Sequence, residues 1–223
     1  MVMLTISWAA SAQFVTTNDN SNNYATSSST NTDSWQSYRF AYVPSTISQH
    51  DEEVYDFTGF AIEYLSSENI VDNMPIFFEG GVGVEYLTER DEESSGGDYV
   101  KTSTDIYSLY IPLNVGYKLD LQEGLSVMPF VGLKTRWNIA ATQSIDMNIS
   151  GLGSMDETYS MFDEDEFDCT FKRFHIGWQV GADVMIGNLN LAVSYGSTFS
   201  EEVFNDAKDC AFTATTISIG YMF

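Results

Sequence analysis

The sequence predicts an all-β protein, an antiparallel up-and-down β-barrel of about eight strands that crosses a membrane. Three observations lead there. Long stretches alternate large apolar residues with glycine, alanine and isolated charges; glycine gathers on the face opposite the large residues; and no apolar run reaches the roughly 18–20 residues that a membrane helix needs. In Phe174–Gly187 one face reads Phe174, Ile176, Trp178, Val180, Ala182, Val184 and Ile186, and the other His175, Gly177, Gln179, Gly181 and Asp183. Glycine weakens a strand and has no use on a water-facing surface. Yet Gly59, Gly81, Gly83, Gly116, Gly132, Gly177, Gly181, Gly196 and Gly220 all lie opposite the large side chains. A barrel of about eight strands has a lumen just wide enough for side chains, so the small residues belong inside and the bulky Phe, Tyr, Trp, Val and Leu are expected to face lipid.

Taken in order, Met1–Ala12 is a short apolar stretch ending in Ala10-Ser11-Ala12, the pattern of a signal peptide with a small-residue cleavage site. It lacks a basic residue at its start, so the signal is truncated or atypical. Residues 13–34, rich in Ser, Thr and Asn, cannot bury a core and form a flexible lead-in. The barrel domain then spans 35–223, with strands expected at about 35–43, 57–66, 75–90, 104–119, 125–141, 171–187, 189–199 and 212–223, each an alternating run bounded by turn residues. The connections 44–56, 91–103, 142–170 and 200–211 are long and acidic, whereas Asp120–Gly124 and Gly187-Asn188 are short turns and 67–74 is intermediate. Short periplasmic turns and longer extracellular loops are the rule for outer-membrane barrels, which puts the acidic loops outside the cell and both barrel ends on the periplasmic side.

Several segments, Ile111-Pro112-Leu113-Asn114-Val115-Gly116-Tyr117-Lys118, Pro129-Phe130-Val131-Gly132-Leu133, Lys172–Gly181 and the closing Ile219-Gly220-Tyr221-Met222-Phe223, resemble the outer-membrane β-barrel domain family of small, porin-like Bacteroidetes proteins. The resemblance covers about Trp35 to Phe223. It implies a bacterial outer-membrane location, and the terminal Phe223 resembles the signal by which such chains are recognised for barrel assembly. It implies no activity, because a fold hosts functions and does not supply one.

The net charge of −23 and pI of about 4.1 exclude a phosphate-reading nucleic-acid protein, which needs a basic footprint. Reading each strand in register places Glu63, Glu79, Glu85 and Asp183 in the lumen with Arg39, Lys118, Lys134, Arg136 and Arg173, five of the nine basic residues of the chain. An ion path is one reading. Mutual neutralisation into a plug is the stronger one, since buried ions are costly unless paired.

Catalysis finds little support in the sequence. His50 and His175 are the only histidines. His175 faces the lumen, the wrong side for a lipid ester, and His50 sits among Asp51, Glu52 and Glu53 with no nucleophile signature nearby. The run Asp163-Glu164-Asp165-Glu166-Phe167-Asp168 offers oxygen ligands of the kind Ca²⁺ prefers, with Asp163, Asp165 and Asp168 as weak metal candidates, but lacks the glycine and spacing of an EF-hand loop. Cys169 and Cys210 each lie two residues before a strand that starts at the loop end. One strand intervenes, which separates the two strand axes by about 9–10 Å, a gap that loop residues can close; the expectation is a disulfide in an oxidising compartment. Aromatics are expected in two girdles, Tyr86, Tyr107, Trp137 and Tyr195 toward the loops and Phe78, Tyr117, Tyr221 and Phe223 toward the turns.

The sequence therefore reads as a monomeric outer-membrane barrel with acidic extracellular loops and a structural or surface-interaction role. It is expected to have no catalytic centre and no cofactor, with membrane lipid and an unidentified surface or membrane protein as partners. An outer-membrane lipid-modifying enzyme and a soluble, lipocalin-type ligand-binding barrel are the alternatives.

Overall fold

In the computed structural model the described residues are 34–49, 52–71, 73–95, 98–150, 153–164, 170–199, 203–205 and 209–223. They form a single antiparallel sheet with no helix among them. The strands are β1 (Trp35–Tyr42), β2 (Ser45–Gln49), β3 (Glu52–Asn69), β4 (Ile76–Ser95), β5 (Asp98–Tyr117), β6 (Leu119–Gln122), β7 (Leu125–Ile149), β8 (Gly153–Ser160), β9 (Phe174–Ile186), β10 (Leu189–Thr198) and β11 (Cys210–Met222). The sheet runs β1-β11-β10-β9-β7-β5-β4-β3-β2 and closes because β1 also pairs with β3 and β2 with β11. β1 and β2 make one stave of an eight-stave barrel, split at Pro44, which has no N–H to give to a ladder.

Each stave is two-faced for the reason read from the sequence. Along β9 the exposed and buried positions alternate, with Val180 47% exposed and Gln179 8%. Across the register Val131 pairs with Val180 and Gly132 with Gln179, so the apolar face is continuous around the wall. The lower hairpins are tight. Gly187, the first residue of the two-residue β9–β10 turn, has φ of 57°, the left-handed conformation that closes a right-twisted hairpin without strain. The two ends of the barrel chain meet on this same rim, where Gln36 and Phe223 exchange backbone hydrogen bonds of 3.0 and 2.9 Å.

Two expectations are corrected here. The long upper connections are largely strand. Residues 44–56 contain β2 and the start of β3, 91–103 contain the end of β4 and the start of β5, and 142–170 contain the end of β7 and all of β8. Polar residues hide this, because above the membrane both faces of a strand meet water and the alternation that marks a strand is lost. The second correction is that bulky residues do not all face outward. Ile47, Phe57, Leu87, Ile106 and Phe212 fill the upper lumen, with Met161, Phe171 and Val203 folded over them, and Phe77, Met128, Met185 and Met222 fill the lower end. A narrow lumen holds no bulk water, so apolar packing is the favourable filling wherever no charge pair is needed.

Candidate functional site

The interior is layered, and its middle layer is charged. Arg39 on β1 anchors the lower part. Its guanidinium lies 2.8 Å from Glu79, 3.1 Å from Asp183 and 3.9 Å from Glu63, drawing together carboxylates from β4, β9 and β3. Glu79 also accepts hydrogen bonds from Ser67 and Asn114, both at 3.1 Å, and Asn114 accepts one from Gln179 at 2.6 Å. The Tyr110 hydroxyl donates to Glu63 at 3.0 Å. Any side chain at Gly83 would collide with the Tyr110 ring, which gives that glycine its place.

Nearer the upper end the sign is reversed. Glu85 is held by Arg136 at 2.7 Å and Lys134 at 3.2 Å, the Lys134 ammonium also sits 4.0 Å over the Tyr110 ring, and Arg136 stacks 3.9 Å over Phe212. Small cavities of about 20 and 40 Å³ remain beside Arg39 and Glu63 and beside Lys134, Arg136 and His175. Each is on the scale of one or a few water molecules, since about 10–15 Å³ suffices for one. His175 is buried against Phe171, with ring centroids 5.4 Å apart, on the lumen side as its alternation predicts.

Of the nine lumen charges expected from the sequence, the structure brings Arg39, Glu63, Glu79, Glu85, Lys134, Arg136 and Asp183 together and places two elsewhere. Arg173 is exposed and stacks 3.9 Å over Phe162. It precedes β9 at a bend rather than within a strand starting at Phe171, so the alternation that predicted an inward side chain does not reach it. Lys118 lies at the lower mouth, 3.5 Å from Asp120 and 5.6 Å over the Trp35 ring. The strand ends one residue before it, and its long stem carries the ammonium toward water. The residues that sequence reasoning passed over are the neutral Ser67, Tyr110, Asn114 and Asn190; Gln179 is on the lumen face its alternation predicts, and its bond to Asn114 is what the structure adds. The signal of the first four was their register, since each sits an even number of positions from a lumen charge or glycine on its own strand.

Asp163 is exposed, whereas Asp165, Asp168, His50 and Cys169 lie outside the described residues. Among the described residues no group of three or more His, Cys, Asp or Glu side chains could hold a metal ion. Cys210 is buried in the upper core.

Outside, the wall is apolar. Val82, Val84, Ile111, Val115, Val131, Val180, Val193 and Ile219 are all exposed, and aromatic rings border them on both sides: Tyr107, Trp137 and Tyr195 toward the hairpins and Phe78, Tyr117, Tyr221 and Phe223 toward the turns. Tyr86 lies beside Tyr107 with ring centroids 4.9 Å apart. Such a belt between two girdles fits a bilayer and would be untenable in water.

Above the belt, the upper parts of β4, β5 and β7 continue, with β8, as a four-stranded sheet. It carries exposed Asp91, Glu92, Glu93, Asp156 and Glu157 and a shallow concavity of about 540 Å³ lined by Arg90, Asp91, Glu92, Lys101, Thr102, Ser103, Ser144 and Asp146. The tips of its two hairpins are joined. Ser150 donates through its backbone N–H (2.8 Å) and hydroxyl (2.6 Å) to Asp98, and these two donors, the hydroxyl first, hold the Asp98 carboxyl below the usual carboxylate range.

A closed barrel with a filled interior and an apolar outer belt defines an integral outer-membrane β-barrel protein. Residues 2–223 match the model of the outer membrane protein beta-barrel domain, and the chain belongs to that family and to the bacterial outer membrane. No curated protein matches the chain. Among solved structures it is similar to Ail, the attachment invasion locus protein of Yersinia pestis, in complex with the heparin analogue sucrose octasulfate, at 15% identity, with 85% of this chain and 99% of that one covered and a TM-score of 0.47. It is also similar to Neisserial surface protein A (15% identity, 85% and 97% covered, TM-score 0.40) and to a major outer membrane protein of Thermus thermophilus (13%, 85% and 99%, 0.44). At these identities the likeness is one of fold.

Proposed function

We propose that this protein is a non-conducting, non-catalytic outer-membrane barrel whose role is carried by the acidic sheet, held on the outer surface of the cell for structural or binding purposes. The observation that supports this most is the division of the molecule. The lumen is packed with charged side chains between two apolar layers, and a cluster of acidic residues, Asp91, Glu92, Glu93, Asp156 and Glu157, stands on a braced sheet beyond the aromatic girdle. A cationic or neutral polar partner suits such a surface, and lipid surrounds the barrel below it.

The same reading keeps a disulfide between Cys169 and Cys210, which would tie the segment after β8 to the start of β11. Non-reducing peptide mapping of freshly isolated membranes checks it. The linked peptide is expected, and recovery of both thiols alkylatable would remove it.

The functional reading is tested by two measurements on the refolded protein. Planar-bilayer recordings are expected to show no stable channel; a reproducible open pore would make transport the leading function. Pull-down from native membranes with the intact chain, and with a variant in which residues 91–103 are replaced by a short turn, is expected to lose its captured partners only in the variant. Equal recovery from both would move the binding surface away from the hairpin.

A further inference from the structure

The buried charges of the barrel do not balance. Arg39, Lys134 and Arg136 give three positive charges and Glu63, Glu79, Glu85 and Asp183 give four negative ones, so one negative charge is left over in an interior closed by apolar layers. Isolated charge in such a medium is strongly disfavoured, and a group there neutralises instead.

Hydrogen bonding identifies which carboxyl is out of place. Glu79 has three donors, from Arg39, Ser67 and Asn114. Glu85 has two cations, and Glu63 has the Tyr110 hydroxyl. Asp183 has none. It is fully buried, its one close ion-pair contact is the Arg39 guanidinium at 3.1 Å, and neither of its oxygens has a hydrogen-bond partner.

The register puts an equally unsatisfied group beside it. Asn190 on β10 is fully buried, and both its amide nitrogen and its amide oxygen lack partners. Asp183 pairs with Ala192 and Asn190 with Met185, so the two side chains project into the lumen from adjacent strands one step apart. Gly220 pairs with both Asn190 and Arg39, and because it has no side chain the Arg39 stem packs directly over it; a Cβ there would lie 2.6 Å from the Arg39 Cγ.

Four unsatisfied atoms, two carboxyl oxygens and an amide N and O, match the needs of a carboxylic acid facing a carboxamide. The acid O–H donates to the amide oxygen, the amide N–H donates to the acid carbonyl, and all four are satisfied in one ring. With the extra proton the interior holds three positive and three negative charges.

We infer that Asp183 is a proton-binding site, held as the neutral acid in the folded barrel and paired with the carboxamide of Asn190. The groups facing it are Arg39 from β1, Glu63 from β3, Glu79 from β4 and Asn190 from β10, with Lys134 on β7 and Tyr110 on β5 beyond Glu63 and the uncharged Ser218 and Gly220 on β11. Only the Arg39 guanidinium comes within ion-pair distance of Asp183, and it is shared with Glu79 and Glu63. The neutral acid leaves Arg39 to the two glutamates, and the barrel folds around a pair that no longer has to be separated from a counter-ion.

The test uses the full chain refolded in detergent micelles with ¹³C in the aspartate side-chain carboxyls and ¹⁵N in the asparagine side chains. Among the described aspartates Asp183 alone is buried. At neutral pH one aspartate carbon is expected at the chemical shift of the protonated acid, with a dipolar contact to an asparagine side-chain nitrogen that assigns it without any substitution. Finding every aspartate at the carboxylate shift would overturn the inference. An alkali cation bound at the same place would balance the charge equally well, so spectra recorded in sodium, potassium and choline chloride are expected to be identical; a dependence on the cation would also overturn it. In unfolding experiments between about pH 5 and pH 7, above the ordinary range of an aspartate and below neutrality, the folded-to-unfolded ratio of the wild type is expected to fall by about tenfold more per pH unit than that of Asp183→Asn, the slope of one proton released on unfolding. Equal slopes would count against a bound proton.

Discussion

The strand β4 passes through two environments and obeys a different rule in each. From Phe77 to Leu87 its side chains alternate between a packed interior and the apolar belt, with Glu79 and Glu85 inside and Val82 and Val84 outside. From Asp91 to Ser95 every residue is exposed, and acids stand on both faces. The lower part is governed by desolvation, where each polar group must find its partner and each outward residue must suit hydrocarbon. The upper part is governed by the backbone ladder alone, so almost any polar residue is tolerated. The barrel is thus a demanding sequence and the hairpins are a permissive one.

The largest contrast is expected for ion pairs. Arg39→Met leaves Glu63 and Glu79 buried without their shared cation, and breaking a buried ion pair from one side costs about 3–5 kcal/mol. Urea unfolding of the barrel in lipid vesicles measures it, and a loss below that of a surface substitution would show that the Arg39 cluster is not what holds the middle of the lumen. A charge on the outer wall comes next. Val131→Arg, at a position 62% exposed in the centre of the belt, should cost about 2–4 kcal/mol, whereas Glu93→Arg on the projecting sheet should stay within about 0.5 kcal/mol. Equal effects of the two would place the membrane boundary wrongly.

A smaller effect separates the hairpin tips from the barrel. Asp98 is held below the usual carboxylate range by the two Ser150 donors, so the link it supports is present above that range and is lost as the pH falls through its own, lower value. Amide exchange at Ser150 should therefore quicken only at acid pH, with the core of β7 unaffected; Asp98→Asn should remove the pH dependence. The smallest effect is expected for Lys101→Met. Its pair with Glu92, 3.3 Å apart, has both side chains about half exposed, and pairs of this kind contribute about 0–1 kcal/mol. A loss as large as that of Arg39→Met would mean that the sheet is more buried in its working state, as it would be if covered by a partner.

Particular residues show how much of the fold is legible in the amino-acid sequence. Val131, Gly132, Gln179 and Val180 have the faces their alternation predicted, because a strand has a period of two and one apolar belt keeps it in phase. The upper strands were missed for the same reason. At Asp91–Ser95 and Gly153–Ser160 both faces are wet, so the period carries no contrast and composition reads as loop. Arg173 leaves the period because the chain bends there, and polar sequence does not announce the bend.

The amino-acid sequence by itself determined the class of the protein, the faces of its membrane strands and the pool of charges available to the lumen, since these follow from local periodicity and from the cost of exposing backbone to lipid. Tertiary structure decided which charges meet. Arg39 joins Glu63, Glu79 and Asp183 because barrel closure brings β1, β3, β4 and β9 within one side chain's reach across the lumen, although the residues lie as many as 144 positions apart (183 − 39). It also decided that Asp183 and Asn190 stand side by side on adjacent strands, a fact of register that no stretch of chain contains by itself.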